Sequence, residues 1–544
     1  MNLITFLLRS SWQMMAMAIA TGFLSGGSSA GLIALITHAF NDDGTATSPE
    51  LIAWGFTGLA LVALLTSILT RVVLIRLSQN AVFNLQMHLS RQILASELTH
   101  LEELGSPRLL ATLTEDIQAI SNAVFVLPAL CINISIVLGC LVYITWLSWK
   151  VLLLVIVLLG VATASCGILL RLGKQSLTLA REEQDQLFKH FKAVTEGVKE
   201  LKLHYHRRQD FLTADLRQTA AKFRRHNIQG LTFIATTDSW GKLIFFFAIG
   251  FVLFLLPHWL VINPQTLAGY VLTFTYLVAP MENIVNRLPL LTKASVSLQK
   301  IQTLGLSLAN RAEAIGNYTQ PLQPTWKHLE FKGVTHTYQG EKEDSRFTLG
   351  PIDLTLQPGE LVFVIGGNGS GKSTLAKLIT GLYVPESGKI CLDNQPITVL
   401  NREWYRQHFS VIFYDFYLFE RLLGFNNPEL DSQAQTYLRY LQLAHKVKVN
   451  QGQLSTTALS QGQRKRLTLL TAYLENRSIY LFDEWAADQD PMFKELFYTE
   501  FLSKLRDQGK TVLVISHDDS YFHVADRLIK LDYGQIVYDK QRVR

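Results

Sequence analysis

Leu361-Val362-Phe363-Val364-Ile365-Gly366-Gly367-Asn368-Gly369-Ser370-Gly371-Lys372-Ser373-Thr374 is an apolar, strand-like run followed at once by the pattern G-x-x-x-x-G-K-[ST]. The residue types follow from the chemistry of holding phosphate. Glycines let backbone N–H groups close around phosphate oxygens, Lys372 adds a point charge, and Ser373 offers a hydroxyl to Mg²⁺. The stretch predicts a nucleotide-triphosphate site, with Gly366, Gly367, Asn368, Gly369, Ser370, Gly371, Lys372, Ser373 and Thr374 forming the cradle. A glycine-rich turn before an ordinary helix is the plain alternative for the motif taken alone.

A second apolar run, Ile479-Tyr480-Leu481-Phe482, ends in Asp483-Glu484. A strand that ends in an acid delivers a carboxylate to the sheet edge beside the phosphates. Asp483 is the candidate Mg²⁺ ligand alongside Ser373, and Glu484 the candidate base that polarises the attacking water. Further short β-rich runs, Leu329 to Phe331, Ser410 to Phe413 and Thr511 to Ile515, alternate with helical stretches. That alternation predicts an α/β domain with a largely parallel sheet.

The rest of the chain is of a different kind. It has 544 residues, 17% of them charged, and a mean hydropathy of +0.19, too apolar for an ordinary soluble enzyme. Six stretches are long enough to span a bilayer: Trp12 to Phe40, Leu51 to Ile75, Val124 to Trp146, Val151 to Leu170, Phe233 to Leu256 and Leu267 to Val285. The first exceeds a signal-peptide core of about 7–15 residues and reads as a membrane helix. The net charge of +6 is accounted for by basic loops, with no basic stripe that would call for nucleic acid. Cys131, Cys140, Cys166 and Cys391 show neither metal-site nor disulfide spacing.

The loops from Asn41 to Glu50 and from Pro257 to Thr266 carry no Lys or Arg and are expected outside. The polar segments from Arg76 to Asn122 and from Arg171 to Ile228 are expected in the cytoplasm, with both termini. They read as helical extensions that double back near Gly105-Ser106-Pro107 and between Glu196 and Phe211. The predicted architecture is multi-domain: a six-helix transmembrane bundle with long cytoplasmic helical extensions (1–305), a linker (306–325), and an α/β phosphate-loop ATPase domain (326–544).

Leu459-Ser460-Gln461-Gly462-Gln463, placed between the two nucleotide motifs, resembles the signature of ABC transporters. Taken alone it would be a polar helix start capped by Ser460. The resemblance covers essentially the whole chain and implies a half-size ABC exporter of the type IV fold. It implies that Ser460, Gly462 and Gln463 contact ATP, that Tyr338 stacks on adenine, that Asp490 is the D-loop aspartate, and that His517 is the switch histidine near the γ-phosphate. Glu484, His517 and Lys372 are then the catalytic set, with ATP and Mg²⁺ as ligands. It also implies a homodimer through both domains, in which each ATP lies between the phosphate loop of one copy and the signature of the other.

One position departs from the family. Tyr414, in Val411-Ile412-Phe413-Tyr414-Asp415, stands where a glutamine is usual, and a phenol does not replace an amide carbonyl as a neutral Mg²⁺ ligand. Asp415 or a water is left to fill that function.

Phe416-Tyr417-Leu418-Phe419, Arg421 to Gly424, and Phe482-Asp483-Glu484-Trp485-Ala486-Ala487-Asp488-Gln489-Asp490-Pro491 look like the cyclic-peptide and siderophore exporter branch of bacteria. That resemblance implies export of a peptide natural product across the bacterial inner membrane by alternating access. A lipid or glycolipid flippase of the same architecture is the alternative. In the membrane half, Asp238 and Lys242 lie one helical turn apart and read first as an ion pair. Phe245, Phe246, Phe247, Phe274 and Tyr276 read as packing or lipid-facing residues before they read as a cargo surface.

Overall fold

The computed structural model describes residues 3–41, 49–259, 264–313, 326–339, 346–425 and 427–542. Most of the first predicted outward loop, residues 260–263 of the second, and most of the predicted linker therefore lie outside the described residues. The chain divides into two compact units: Met1–Ser90 with Pro107–Leu304, and Arg91–Ser106 with Gly305–Arg544.

The first unit is helical, built on Leu3–Asn41, Pro49–Ala95, Ile117–Leu147, Trp149–Glu196, Arg217–Gly250 and Pro264–Asn310. Among the described residues, five helical segments are long and apolar enough to cross a membrane: Met15–Thr37, Glu50–Ala95, Arg108–Leu147, Trp149–Glu196 and Tyr205–Leu255. The predicted sixth span, 267–285, falls within the 47-residue helix Pro264–Asn310. It stands outside that group of five, and Pro280, Glu282, Asn283, Asn286 and Arg287 give the helix its polar stretch.

Large apolar side chains such as Trp54, Trp146, Phe247 and Phe254 point outward, as lipid-facing residues do. Where helices meet, small residues set the distance. A Cβ on Gly26 would lie 2.2 Å from Ser135 Cβ, and one on Gly139 would lie 2.7 Å from Ala30 Cβ, so Leu3–Asn41 and Ile117–Leu147 approach backbone to backbone.

The doubling back of the polar segments has a visible cause at each point. Gly105, at φ 76°, ends the helix Leu98–Leu104, and Gly197 ends Trp149–Glu196 ahead of the short helices Val198–Leu203 and Tyr205–Asp210.

The second unit is α/β. A six-stranded sheet runs β12(Gln535–Gln541)-β11(Arg527–Asp532)-β3(Leu361–Ile365)-β10(Thr511–Ile515)-β9(Ile479–Asp483)-β6(Phe409–Ile412), parallel except for β12. β3, β9 and β10 are buried along their whole length, which is why they read as continuous apolar runs without alternation. A four-stranded antiparallel sheet, β2(Arg346–Leu356)-β1(Leu329–Gln339)-β4(Ser387–Leu392)-β5(Gln395–Pro396), covers one side, and the pair β7(Val449–Asn450) and β8(Gln453–Leu454) forms a short hairpin.

Two apolar cores result. One, around Leu329, Val334, Val364, Leu378 and Leu513, lies toward the antiparallel sheet. The other, around Phe363, Phe482, Trp485, Phe493 and Phe497, lies under the helices. Each fully buried side chain of this size contributes about 1.5–3 kcal/mol.

Candidate nucleotide site

The parallel strands end together, and the functional loops leave from those ends. β3 runs into Gly366–Gly371, and the helix Lys372–Ile379 begins there with Gly371 in the left-handed region at φ 99°. A Cβ on Gly371 would sit 2.8 Å from Leu349 Cδ1, and one on Gly366 would sit 2.2 Å from the Leu531 carbonyl. Both positions need glycine for space as well as for conformation. Lys372 is buried and its ammonium donates to the carbonyls of Gly366 (3.0 Å) and Gly367 (2.9 Å). Burial lowers its pKa, while Glu484 and Asp483 nearby act the other way. Gly367, Asn368 and Gly369 are exposed at the loop's tip, whereas Ser370 is buried with its hydroxyl unpartnered.

Asp483 ends β9 and is buried. Burial raises its pKa, partly offset by a hydrogen bond from Ser373, and its Oδ1 has no hydrogen-bond partner. An orphaned buried carboxylate oxygen beside a serine hydroxyl is a hard-oxygen donor set that fits Mg²⁺.

Glu484 follows in the left-handed conformation, φ 49° and ψ 33°, at a cost of about 1–2 kcal/mol for a residue with a Cβ. Its N–H donates to the Ile515 carbonyl of β10 (3.0 Å), and its Oε1 lies 3.0 Å from His517 Nε2. Lys372, Ser373, Asp483, Glu484 and His517 thus converge where three neighbouring strands end. The set combines an anion cradle, a carboxylate and a serine hydroxyl for a divalent cation, and a second carboxylate held against an imidazole. It can bind a polyphosphate and orient a water for attack on it.

The signature residues form a second cluster. Ser460 caps the helix Gln461–Glu475 with a full capping box: its hydroxyl accepts from Gln463 N, and Gln463 Oε1 accepts from Ser460 N, both at 3.4 Å. The helix start read from the pentapeptide is there, and the same geometry leaves an N-terminus able to bind an anion. A Cβ on Gly462 would lie 2.9 Å from the Asp488 carbonyl oxygen, so the loop closes over a bare backbone; the Gly462 carbonyl accepts from Gln489 Nε2 (3.1 Å). Among the described residues no hydrogen bond joins Ser460, Gly462 or Gln463 to Gly366–Thr374.

Asp490 is occupied locally. It caps the helix Pro491–Leu496 through Phe493 N (3.0 Å) and pairs with Arg466, and the Phe493 N–H leads the contacts that hold its carboxyl below the usual range. Tyr338 is half exposed on β1, and Tyr414 is exposed beyond β6.

Three features escaped the sequence reading. Lys465, two residues past the signature, is 1% exposed, and its ammonium reaches Asp488 Oδ2 (2.6 Å) and the Glu484 carbonyl (3.2 Å). Residues 91–106 belong with the nucleotide unit, although the sequence places them in the membrane half. There Glu102 accepts from Lys377 Nζ (2.7 Å) and from the Tyr383 hydroxyl, while Glu313 forms a forked pair with Arg406 and reaches Arg402 at 3.4 Å. No motif carries these pairs, whose members are remote in sequence.

In the membrane unit Lys242 bridges Asp238 (2.9 Å) and Glu282 (3.2 Å), so the expected pair is a triad. It opens on a cavity of about 280 Å³ lined by Cys166, Thr237, Phe245, Met281 and Pro289 among others. Phe274 is core, and Phe246 and Phe247 face outward.

Residues 12–281 match the ABC transporter transmembrane region, and residues 349–487 match the ABC transporter family. The chain is 36% identical to the ATP-binding protein SyrD of Pseudomonas syringae pv. syringae, over 96% of this chain and 93% of that one. It is 29% identical to the leukotoxin translocation ATP-binding protein LktB of Mannheimia haemolytica, over 44% of this chain and 36% of that one. Among solved structures, a bacterial Atm1-family ABC exporter with ATP bound superposes with a TM-score of 0.75 at 16% identity, covering 98% of this chain and 95% of the other, which shows the shared fold. With a multi-pass membrane unit, an ATP-binding unit, and a relative matched over 96% of this chain's length, the chain belongs to the ABC transporter family, as an ATP-hydrolysing exporter.

Proposed function

We propose that the chain exports a peptide natural product, a cyclic peptide or peptide-siderophore precursor, out of the bacterial cytoplasm by alternating access. The observation that carries the hydrolytic part is the convergence of Lys372, Ser373, Asp483, Glu484 and His517 at neighbouring strand ends. Lys372 and the Gly366–Gly371 backbone hold the phosphates, Glu484 orients the attacking water, and His517 holds the Glu484 carboxylate toward the γ-phosphate. Ser373 and Asp483 are the residues that would hold Mg²⁺, whose charge offsets that of the phosphates.

Two copies work together, because the Ser460 helix N-terminus forms its own anion site apart from the phosphate loop and is supplied to the ATP of the other copy. Tyr338 is the adenine platform, and Asp490 braces the signature through Arg466. The helix Pro264–Asn310 is the sixth span, and both termini are cytoplasmic.

Peptide cargo is supported by the toxin-translocation ATPase among the relatives, by the branch resemblance around Trp485, and by a cavity that is mostly apolar with one charged triad, suited to an amphipathic molecule. The test is transport in proteoliposomes, offering a cyclic peptide and a fluorescent phospholipid side by side. ATP-dependent uptake of the peptide without lipid flipping supports the reading, and lipid flipping without peptide uptake rejects it in favour of a flippase.

A further inference from the structure

Glu484 sits in a strained backbone conformation at the centre of the candidate site. Such a conformation persists only where the surroundings over-determine it. Its N–H and carboxylate are held by Ile515 and His517. Its carbonyl accepts from the Ala487 N–H at 3.3 Å and from Lys465, which no motif assigns a task.

Lys465, on the helix Gln461–Glu475, joins that helix to two other segments. Its ammonium pairs with Asp488 at 2.6 Å, donates to Glu484 O at 3.2 Å, and lies 5.0 Å from the centroid of the Tyr414 ring. Its own carbonyl accepts from the buried Trp485 indole N–H at 2.8 Å. A buried ammonium needs its three donors answered, and two of them are answered by the segment that carries the candidate base. The third side is covered by the aromatic face that replaces the family glutamine, an arrangement that attracts a desolvated cation.

We propose that Lys465 is the positioning residue for Glu484, and that Tyr414 acts on Glu484 through it. Without the ammonium the Glu484 carbonyl keeps only the local Ala487 N–H and loses its tie to the signature helix, the backbone relaxes toward negative φ, and the carboxylate leaves His517. A displacement of the exposed Tyr414 loop uncovers the cation and produces the same loosening to a smaller degree. The proposal rests on the reading of Glu484 as the base.

The test uses the full chain in lipid nanodiscs with Lys465→Met, Tyr414→Ala, Tyr414→Phe, the double variant Lys465→Met/Tyr414→Ala, and Glu484→Gln. ATP turnover, KM, melting temperature and Mg²⁺-free binding of a fluorescent ATP analogue are measured. Met keeps the side-chain volume, and Asp488 is partly exposed, so its carboxylate stays solvated when the partner is lost.

Lys465→Met is expected to lower kcat by at least about tenfold, with KM, analogue affinity and melting temperature close to those of the parent. Tyr414→Ala is expected to lower kcat by about threefold, with Tyr414→Phe restoring it, and to have no further effect in the Lys465→Met background. Lys465→Met turnover within twofold of the parent overturns the proposal, as does an equal Tyr414→Ala loss with and without Lys465. If Lys465→Met does not fold, equal turnover in Tyr414→Ala and Tyr414→Phe overturns it instead. Normal turnover in Glu484→Gln rejects the base itself, whereas an inactive Glu484→Gln beside a normal Lys465→Met rejects only the positioning role.

Discussion

His517 Nε2 lies 3.0 Å from Glu484 Oε1, and the two residues stand just past the ends of neighbouring parallel strands, β10 and β9. Thirty-three residues of sequence separate them, yet the β10–β9 register, with Ile515 beside Asp483, brings them within one hydrogen bond. His517→Ala is expected to cut ATP turnover by about 10²-fold or more while nucleotide binding stays near parent. Paired turnover and binding measurements check it, and a parallel loss of binding would show that His517 holds nucleotide in the ground state instead.

Asp483 supplies a stability prediction with a definite sign. Burial raises its carboxyl pKa above the ordinary 3.8, so the folded chain holds a proton there that the unfolded chain has released. Between those two values stability falls as pH rises, and the cost of the buried charge persists at neutral pH. Asp483→Asn is expected to raise the melting temperature of the nucleotide-free chain at pH 7, by about 1 kcal/mol of stability, while abolishing turnover. Melting curves of both proteins from pH 4 to 8 would show the gap between them open with pH.

Glu102 lies in residues 91–106, which group with the nucleotide unit, and holds Lys377 and Tyr383. Burial and the Glu102 contact together push the Tyr383 phenol well above its ordinary range, so it serves as a permanent donor. Glu102→Ala removes the acceptor for both groups. Cargo stimulation of ATPase activity is expected to fall by about fivefold or more, with basal turnover of the chain nearly kept, because the change leaves the strand-end cluster alone. ATPase assays with and without cargo would show it.

Gly26 and Gly27 make a matched pair in the membrane unit. A Cβ on Gly26 meets Ser135 at 2.2 Å and its backbone at 2.6 Å, whereas one on Gly27 meets nothing within 4 Å. Gly26→Ala is expected to destabilise by about 1–3 kcal/mol and Gly27→Ala to be neutral. Thermal denaturation in detergent distinguishes them.

What the sequence made legible was local. The phosphate loop, the Asp483-Glu484 strand end and the Ser460 helix start each carry their chemistry within a few consecutive residues. The runs Leu361 to Ile365 and Thr511 to Ile515 were recognisable because both faces are buried. β2, β4, β11 and β12 were not: β2 and β11 are buried on one side only, β4 is exposed over its first half, and β12 has no fully buried residue, so each carries a diluted apolar signal.

The left-handed Glu484 and the buried Lys465 depend on partners 19 to 51 residues away. Glu282, the third member of the Lys242 triad, lies 40 residues on and belongs to another helix. Such placements are set by tertiary packing, which no spacing encodes.

If the second unit hydrolyses ATP through Glu484, removing that carboxylate stops turnover and spares binding. The most direct measurement is ATP turnover and ATP binding of purified Glu484→Gln beside the parent chain. Glu484→Gln is expected to bind ATP with parent-like affinity and to turn it over about 10²-fold or more slowly. Turnover equal to the parent's would contradict hydrolysis through Glu484.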